Sequence, residues 1–272
     1  PLDALRGEHA DHPLRAVIGR DDVYNHYIDS TQKALYARVL PLREDFEVLD
    51  FGCGNGRWAL WFAPRVIRVV GVDLSPTMVS TAQRLASERE VRNADFTVLG
   101  DGAPFPDGSF DLVNCVWVLK YILSGAEATK TIAEFSRVTK PGGYVAIIDQ
   151  VNWSGDLLVE TEGYYRGRAL YRTPGSYIEA FKNRGMHLRY HAITNASPLF
   201  WAYLRVQRAL YGPAKTSLRP GLRWIAAASV RGDLLTGRAM RFRSGHHFFL
   251  FQKEGEADGS ERGGIPSPKP GS

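Results

Sequence analysis

Two apolar runs that each end in an acid, joined by a loop of alternating glycines, constrain this chain more than any bulk property does. Val48-Leu49-Asp50-Phe51-Gly52-Cys53-Gly54-Asn55-Gly56 is followed by Val69-Val70-Gly71-Val72-Asp73. A short apolar run bounded by turn residues reads as a parallel strand covered on both faces. Glycine lacks a Cβ and tolerates positive φ, so the loop lets backbone pass close to a ligand. Asp73 then stands where an acid hydrogen-bonds ribose hydroxyls in nucleotide-binding βαβ units. The spacing departs from the dinucleotide pattern twice. The third glycine of G-x-G-x-x-G is replaced by Arg57, and Asp50 directly precedes the loop, where a carboxylate repels a pyrophosphate and suits an ammonium group.

A ligand with a ribose at one end and an amino acid at the other fits both departures, which points to S-adenosylmethionine. Asp50-x-Gly52-x-Gly54-x-Gly56 with Asp73 resembles the first two motifs of the class I S-adenosylmethionine-dependent methyltransferases. Three further segments are similar in order and spacing: Gly100 to Asp111, Val116-Trp117-Val118-Leu119, and Glu134 to Gly143. The resemblance covers about residues 46 to 150. It implies a Rossmann-like α/β fold, a doubly wound seven-stranded mostly parallel sheet, with the cofactor across the carboxyl ends of the strands. By the same resemblance the Gly52, Cys53 and Gly54 loop lies under the methionine part, with Asp50 beside its ammonium. Asp73 accepts the ribose hydroxyls, Leu74 and Met78 pack on adenine, and Asp101 takes its exocyclic amine. Gly102 and Ala103 offer backbone to the ring edge, and Val116 or Trp117 closes the methionine side. Relatives use an N-terminal helix as a lid, which puts Tyr27 over the cofactor, with core packing as the alternative.

Alternating strands and helices with short connections predict a parallel sheet wound on both faces. We expect two helices over 14–44, strands at 46–50, 67–73, 94–99, 110–116 and 144–150, and helices at 56–63, 76–88 and 126–139. Pro141-Gly142-Gly143 is expected to break the chain before the fifth strand. Residues 155–172 read as a loop with a short helix, and Thr173 as the N-cap of the next helix. Strands follow at 187–194 and 246–253, the last one antiparallel. The organisation expected is an N-terminal helical cap over 1–45, a domain over 46–253 with a helical insertion over 195–245, and a disordered tail over 254–272. In the insertion, Leu199, Tyr203, Val206 and Leu210 fall on one helical face and Trp201, Arg205 and Arg208 on the other.

The chain has 272 residues, enough for one substantial core. No apolar run approaches the roughly 20 residues that cross a bilayer. Residues 1–11 contain acids and no apolar stretch, so no secretory signal is expected there. Cys53 and Cys115 do not make a disulfide framework, which suits a reducing cytoplasm. Cys53 reads as a small residue under the cofactor rather than a nucleophile. Between Asn195 and His247 stand nine cations and one acid, a local surplus of +8 against a whole-chain charge of +5. Such a patch suits a polyanionic partner or an anionic surface, including peripheral membrane contact, while a plain structural lid is the bland reading.

Methyl transfer from a sulfonium to a hydroxyl needs alignment and a base. An antiparallel last strand brings His246 and His247 to the active edge beside Asp149, where a carboxylate-oriented imidazole suits proton removal. Neighbouring strand residues face opposite ways, so at most one histidine serves, and a buried structural histidine is the alternative. His187 and His191 are weaker candidates, and no metal-ligand spacing is present. Many relatives carry a histidine after the fourth strand, where this chain has Lys120-Tyr121; Lys120 there suits an anionic group of the acceptor or a plain surface position. Asn114-Cys115-Val116-Trp117 lacks the proline turn of enzymes that methylate exocyclic amines of nucleic acids. The reading is a methyltransferase acting on a small-molecule or glycan hydroxyl, with a phosphate- or lipid-linked acceptor included. Structured RNA, or a silent S-adenosylmethionine-binding adaptor, is the alternative.

Overall fold

The computed structural model describes residues 14, 22–100, 105–161, 167–211 and 220–255. Helix α1 (Asp22–Val39) precedes β1 (Glu47–Phe51), α2 (Ala59–Phe62), β2 (Arg68–Asp73), α3 (Pro76–Glu88), β3 (Ala94–Val98) and β4 (Phe110–Val116). Then follow α4 (Gly125–Val138), β5 (Thr139–Val151), β6 (Leu157–Thr161), β7 (Gly167–Tyr171), α5 (Pro174–Lys182) and β8 (Met186–Thr194). Helices α6 (Pro198–Tyr211) and α7 (Pro220–Thr236) lead into β9 (Gly245–Lys253). Seven strands form one sheet in the order β3-β2-β1-β4-β5-β9-β8, with only β9 antiparallel to its neighbours. This is the doubly wound, mostly parallel sheet expected, with helices inserted before an antiparallel last strand.

Side-chain alternation builds a core on each face. Val48, Leu112, Ala146 and Phe248 point to one, where Leu35, Tyr36 and Val39 of α1 and Phe62 of α2 pack. Leu49, Val113, Ile147 and Phe249 point to the other, under Phe135 of α4 and Phe181 of α5. Helix starts follow from local chemistry. Ser75 accepts from Met78 N, Ser124 from Glu127 N and Thr173 from Ser176 N, each satisfying a first-turn donor.

Four expectations are corrected. The helix expected at 56–63 begins only at Ala59, because Gly56 takes φ +81 and the chain turns until Asp50 Oδ2 accepts from Ala59 N at 3.0 Å. Pro141-Gly142-Gly143 does not break the chain before β5; it forms a bulge inside that strand, where pairing jumps from Phe110↔Thr139 to Leu112↔Tyr144. A Cβ on Gly143 would lie 2.9 Å from Lys140 O, so only glycine lets the bulge close. Within 155–172 the described residues form the antiparallel pair β6–β7, a separate two-stranded sheet, where a loop with a short helix was expected. Among the described side chains of α6 the buried ones are Phe200 and Leu204, whereas Leu199 and Val206 are about half exposed; those of Arg208 and Leu210 are not among them. That helix turns Phe200 inward because its ring stacks on Tyr27 of α1 at 3.8 Å. In the N-terminal region α1 is the described helix, and 15–21 lie outside the described residues. So do 256–272 of the expected tail.

Candidate active site

The strand order reverses between β1 and β4, and ligands of open α/β sheets bind beyond the strand ends at such a point. Three glycines of the loop after β1 hold left-handed backbone, with φ of +73 at Gly52, +55 at Gly54 and +81 at Gly56. A Cβ on Gly52 would meet Val118 Cγ2 at 2.2 Å. Val72 O accepts from both Gly52 N and Cys53 N, which ties the loop to the tip of β2. There Asp73 accepts from Gly54 N through Oδ2 and from Ser75 N through Oδ1, both at 2.9 Å. Its carboxylate is thus fixed at the crevice with lone pairs left for further donors. Leu74 beside it is 75% exposed, an apolar side chain standing at the mouth. Met78 lies buried in the first turn of α3, and Cys53 is buried with its thiol pushed up by desolvation, which keeps it from being a thiolate nucleophile.

Asp50 closes the floor. Its Oδ1 accepts from Asn114 Nδ2 at 2.7 Å, and Asn114 Oδ1 accepts from Tyr36 OH at 2.7 Å. All three are almost fully buried, and desolvation raises the Asp50 carboxyl to about 6 against the pull of Asn114 and Arg57. Asp50 therefore offers charge from beneath the loop rather than an open carboxylate. Arg57 is buried beside it, donating to Asp29 Oδ1 at 2.8 Å, with its guanidinium over the rings of Trp58 and Trp117 at 4.9 and 5.3 Å. Asn114, Tyr36 and Arg57 were not among the sequence candidates for the site. The signal was an asparagine inside the apolar run Leu112-Val113-Asn114-Cys115-Val116, and a buried polar side chain in such a strand needs a partner.

At the end of β4, Val116 is buried and Trp117 holds φ +60, a conformation that costs a bulky residue and marks a constrained position. Its N–H donates to Ile148 O at 2.7 Å, and its indole Nε1 donates to His246 Nδ1 at 3.0 Å. Indole nitrogen is donor only, so this network assigns the His246 proton to Nε2. Desolvation, with Lys120 adding to it, lowers the His246 pKa to about 3. His246 is therefore a neutral donor toward the edge, not a base with a free lone pair.

His247 and Asp149 also depart from the expected dyad. The register sets Asp149 opposite His247 and Gln150 opposite His246. Yet Asp149 accepts from Lys120 N, Gln150 N and Tyr177 OH, and from neither histidine. His247 is fully buried, pairing Nδ1 with His191 Nε2 at 2.8 Å and Nε2 with Arg243 O at 2.7 Å. Since the carbonyl only accepts, Nε2 carries the proton and Nδ1 is taken by His191. Burial lowers the His247 pKa to about 4. Asp149 acts instead as an anchor for the turn after β4, whose other end is held by Arg172 donating to Leu119 O and Ile122 O.

Tyr27 is corrected too. It is fully buried, its hydroxyl donating to Asp233 and accepting from Ser197 N at 3.2 Å, so it packs α1 against α6 and α7 instead of covering a ligand. Asp101, Gly102 and Ala103 lie outside the described residues. The remaining candidates, Asp50, Gly52, Cys53, Gly54, Asp73, Leu74, Met78, Val116 and Trp117, belong to the loop after β1, the tips of β2 and β4 and the first turn of α3.

Residues 49–147 match a protein family described as the methyltransferase domain. Among curated proteins, the chain is 32% identical over 124 residues to the uncharacterized methyltransferase YcgJ of Bacillus subtilis, covering 45% of this chain and 48% of the relative. It is 34% identical over 116 residues to 27-O-demethylrifamycin SV methyltransferase of Amycolatopsis mediterranei, covering 42% of each. The chain thus spans about half the length of these relatives. Among solved structures, the [4+2]-cyclase SpnF superposes with a TM-score of 0.55 at 20% identity, covering 84% of this chain and 81% of that one, a likeness of fold alone.

Proposed function

With residues 49–147 matching the methyltransferase domain and resembling the class I S-adenosylmethionine-dependent enzymes, we propose that this chain transfers a methyl group to a hydroxyl of a small-molecule or glycan acceptor. The observation that carries the reading is Asp73, held by two backbone N–H groups at the tip of β2 over a loop that only glycine can form. The residues present fit the cofactor. Asp73 has acceptor capacity for ribose hydroxyls, exposed Leu74 offers a face to adenine, and the Gly52 to Gly54 loop, tied to Asp73 through Gly54 N, would lie under the methionine part. The buried Asp50 charge favours an ammonium above the loop. Cys53, Met78, Val116 and Trp117 would complete the apolar walls, and Asp101, Gly102 and Ala103 the adenine edge.

S-adenosylmethionine supplies an activated sulfonium methyl, so much of the acceleration comes from alignment and exclusion of water. This chain's part is to position the acceptor. Trp117 and the Nε2–H of His246 form one wall, and Lys120, above the rings of Trp117 and Tyr121, brings a cation suited to an anionic acceptor. Outside the crevice, Leu199, Trp201 and Val206 of α6 and Trp224 and Leu235 of α7 are exposed among surface arginines 205 and 231. That combination favours contact with an anionic lipid surface over RNA tracking, although none of the described helices is long and apolar enough to cross a membrane.

Titration calorimetry tests the core of this reading. S-adenosylhomocysteine binds and NAD does not, and Asp73→Ala weakens the binding by about 1–3 kcal/mol, the cost of a lost buried acceptor. Absence of binding, or unchanged affinity in the variant, overturns the cofactor assignment. Bound S-adenosylhomocysteine without turnover on any acceptor extracted with the protein supports the adaptor instead.

A further inference from the structure

We propose that a second cavity, along the outer edge of the sheet at β8, binds a small amphipathic anion independently of the cofactor crevice. The cavity has a volume of about 690 Å³, within the range of about 300–1,000 Å³ typical of ligand pockets. It lies four strands from β1 in the sheet order, about 19 Å at ordinary strand spacing.

Its lining divides by chemistry. Arg189, Arg238 and Arg241 supply three guanidinium groups, and the lining includes no carboxylate. Among the described residues none of the three forms an ion pair. Arg189 donates to Gln252 Oε1, Arg241 donates to the Arg238 carbonyl, and Arg238 rests over the Tyr190 ring at 5.2 Å. Each guanidinium has five N–H donors, so most remain available to a phosphate or carboxylate. The first turn of α5 borders the same space at Thr173, Pro174 and Gly175, adding the positive end of its dipole. Burial first, then the neighbouring His247 and Arg241, keep His191, which lines the cavity, from protonating. Asp156 Oδ1 already accepts from Thr173 N at 3.0 Å at the start of α5, so the charge left for a bound anion to offset is that of the three guanidinium groups.

The apolar part argues against a bare inorganic ion. Leu188, Trp153 and Phe242 border the cavity at 36%, 41% and 56% exposure, and Trp153 meets Phe242 edge-on at 5.2 Å. Large apolar groups left in water beside arginines suit a ligand with a hydrocarbon or ring portion behind its anionic head.

The probe is octyl phosphate below its micellar concentration, titrated by calorimetry with and without saturating S-adenosylhomocysteine, so that the two sites are read separately. Octyl phosphate binds equally in both titrations, and at least tenfold more tightly than inorganic phosphate or octanol. Arg238→Gln/Arg241→Gln loses that binding by tenfold or more, keeps S-adenosylhomocysteine affinity and melts as the parent does. Leu188→Glu, which sets a carboxylate into the wall of an edge strand, gives the same loss through a different residue. Octyl phosphate that binds both variants as it binds the parent, or is displaced by S-adenosylhomocysteine, overturns the second site. Retention on phosphatidic acid vesicles without octyl phosphate binding overturns it in favour of a membrane face.

Discussion

The acids at the tips of β1 and β2 and the histidines of β9 and β8 belong to one sheet yet are secured in different ways. At the acids, backbone does most of the holding, with Asn114 adding one side-chain bond to Asp50. Asp73 is fixed by Gly54 N and Ser75 N, and Asp50 by Ala59 N, all within 20 residues of the acid. At the histidines, side chains far apart in sequence hold each other, His246 with Trp117 and His247 with His191, and beside the sheet Tyr27 of α1 is held in the same way by Asp233 of α7. Backbone-held acids are positioned by loop conformation and tolerate little change in the loop. Side-chain pairs position one another, and removing one member leaves the other buried without its partner.

The largest effect is expected where backbone conformation decides everything. Gly52→Ala places an L residue at φ +73 and its Cβ within 2.2 Å of Val118 Cγ2. The strain alone is about 1–3 kcal/mol, and calorimetry is expected to show S-adenosylhomocysteine affinity reduced beyond that measured for Asp73→Ala. Adding Val118→Ala relieves the contact but not the dihedral, so recovery is partial. Full recovery would show that the loop is set by packing rather than by backbone.

Next comes Tyr27→Phe. It deprives the buried Asp233 of a donor and is expected to lower the free energy of unfolding by about 1–3 kcal/mol in denaturant titration. Cofactor affinity stays within twofold, because Tyr27 packs helices and does not line the crevice. A large fall in affinity at unchanged stability would return Tyr27 to the lid.

The smallest effect concerns pH. The His246 pKa is lowered from 6.5 to about 3, so the imidazole is neutral at any pH above that. Turnover measured from pH 5 to 8 is expected to show no limb that depends on His246, any fall near 6 belonging to the Asp50 carboxyl, and His246→Gln to change the height of the profile without its shape. A limb near 6.5 that disappears in the variant would restore His246 as a base.

Legibility followed the same division. Asp50, Asp73 and the glycines announced themselves through local spacing, and so did the strands whose two-sided burial makes continuous apolar runs. Phe200 was missed because both faces of α6 carry large apolar groups, and only the α1 partner Tyr27 selects between them. His246 and His247 were placed at the right edge, but their partners Trp117 and His191 come from other strands, which no periodicity reveals. The β6–β7 hairpin hid for a related reason: its register pairs Leu157 with Tyr171 across a segment without strict alternation.

Arg172 joins that hairpin to the rest in a way that constrains motion. It follows β7 directly, and its one guanidinium occupies two carbonyls of the 119–122 turn, those of Leu119 and Ile122. A planar fork that grips two acceptors resists twisting about either one alone. The turn bearing Lys120 and Tyr121 therefore travels with the foot of the hairpin as a single lever. A bulky guest that pushes the hairpin aside must tilt that cation with it.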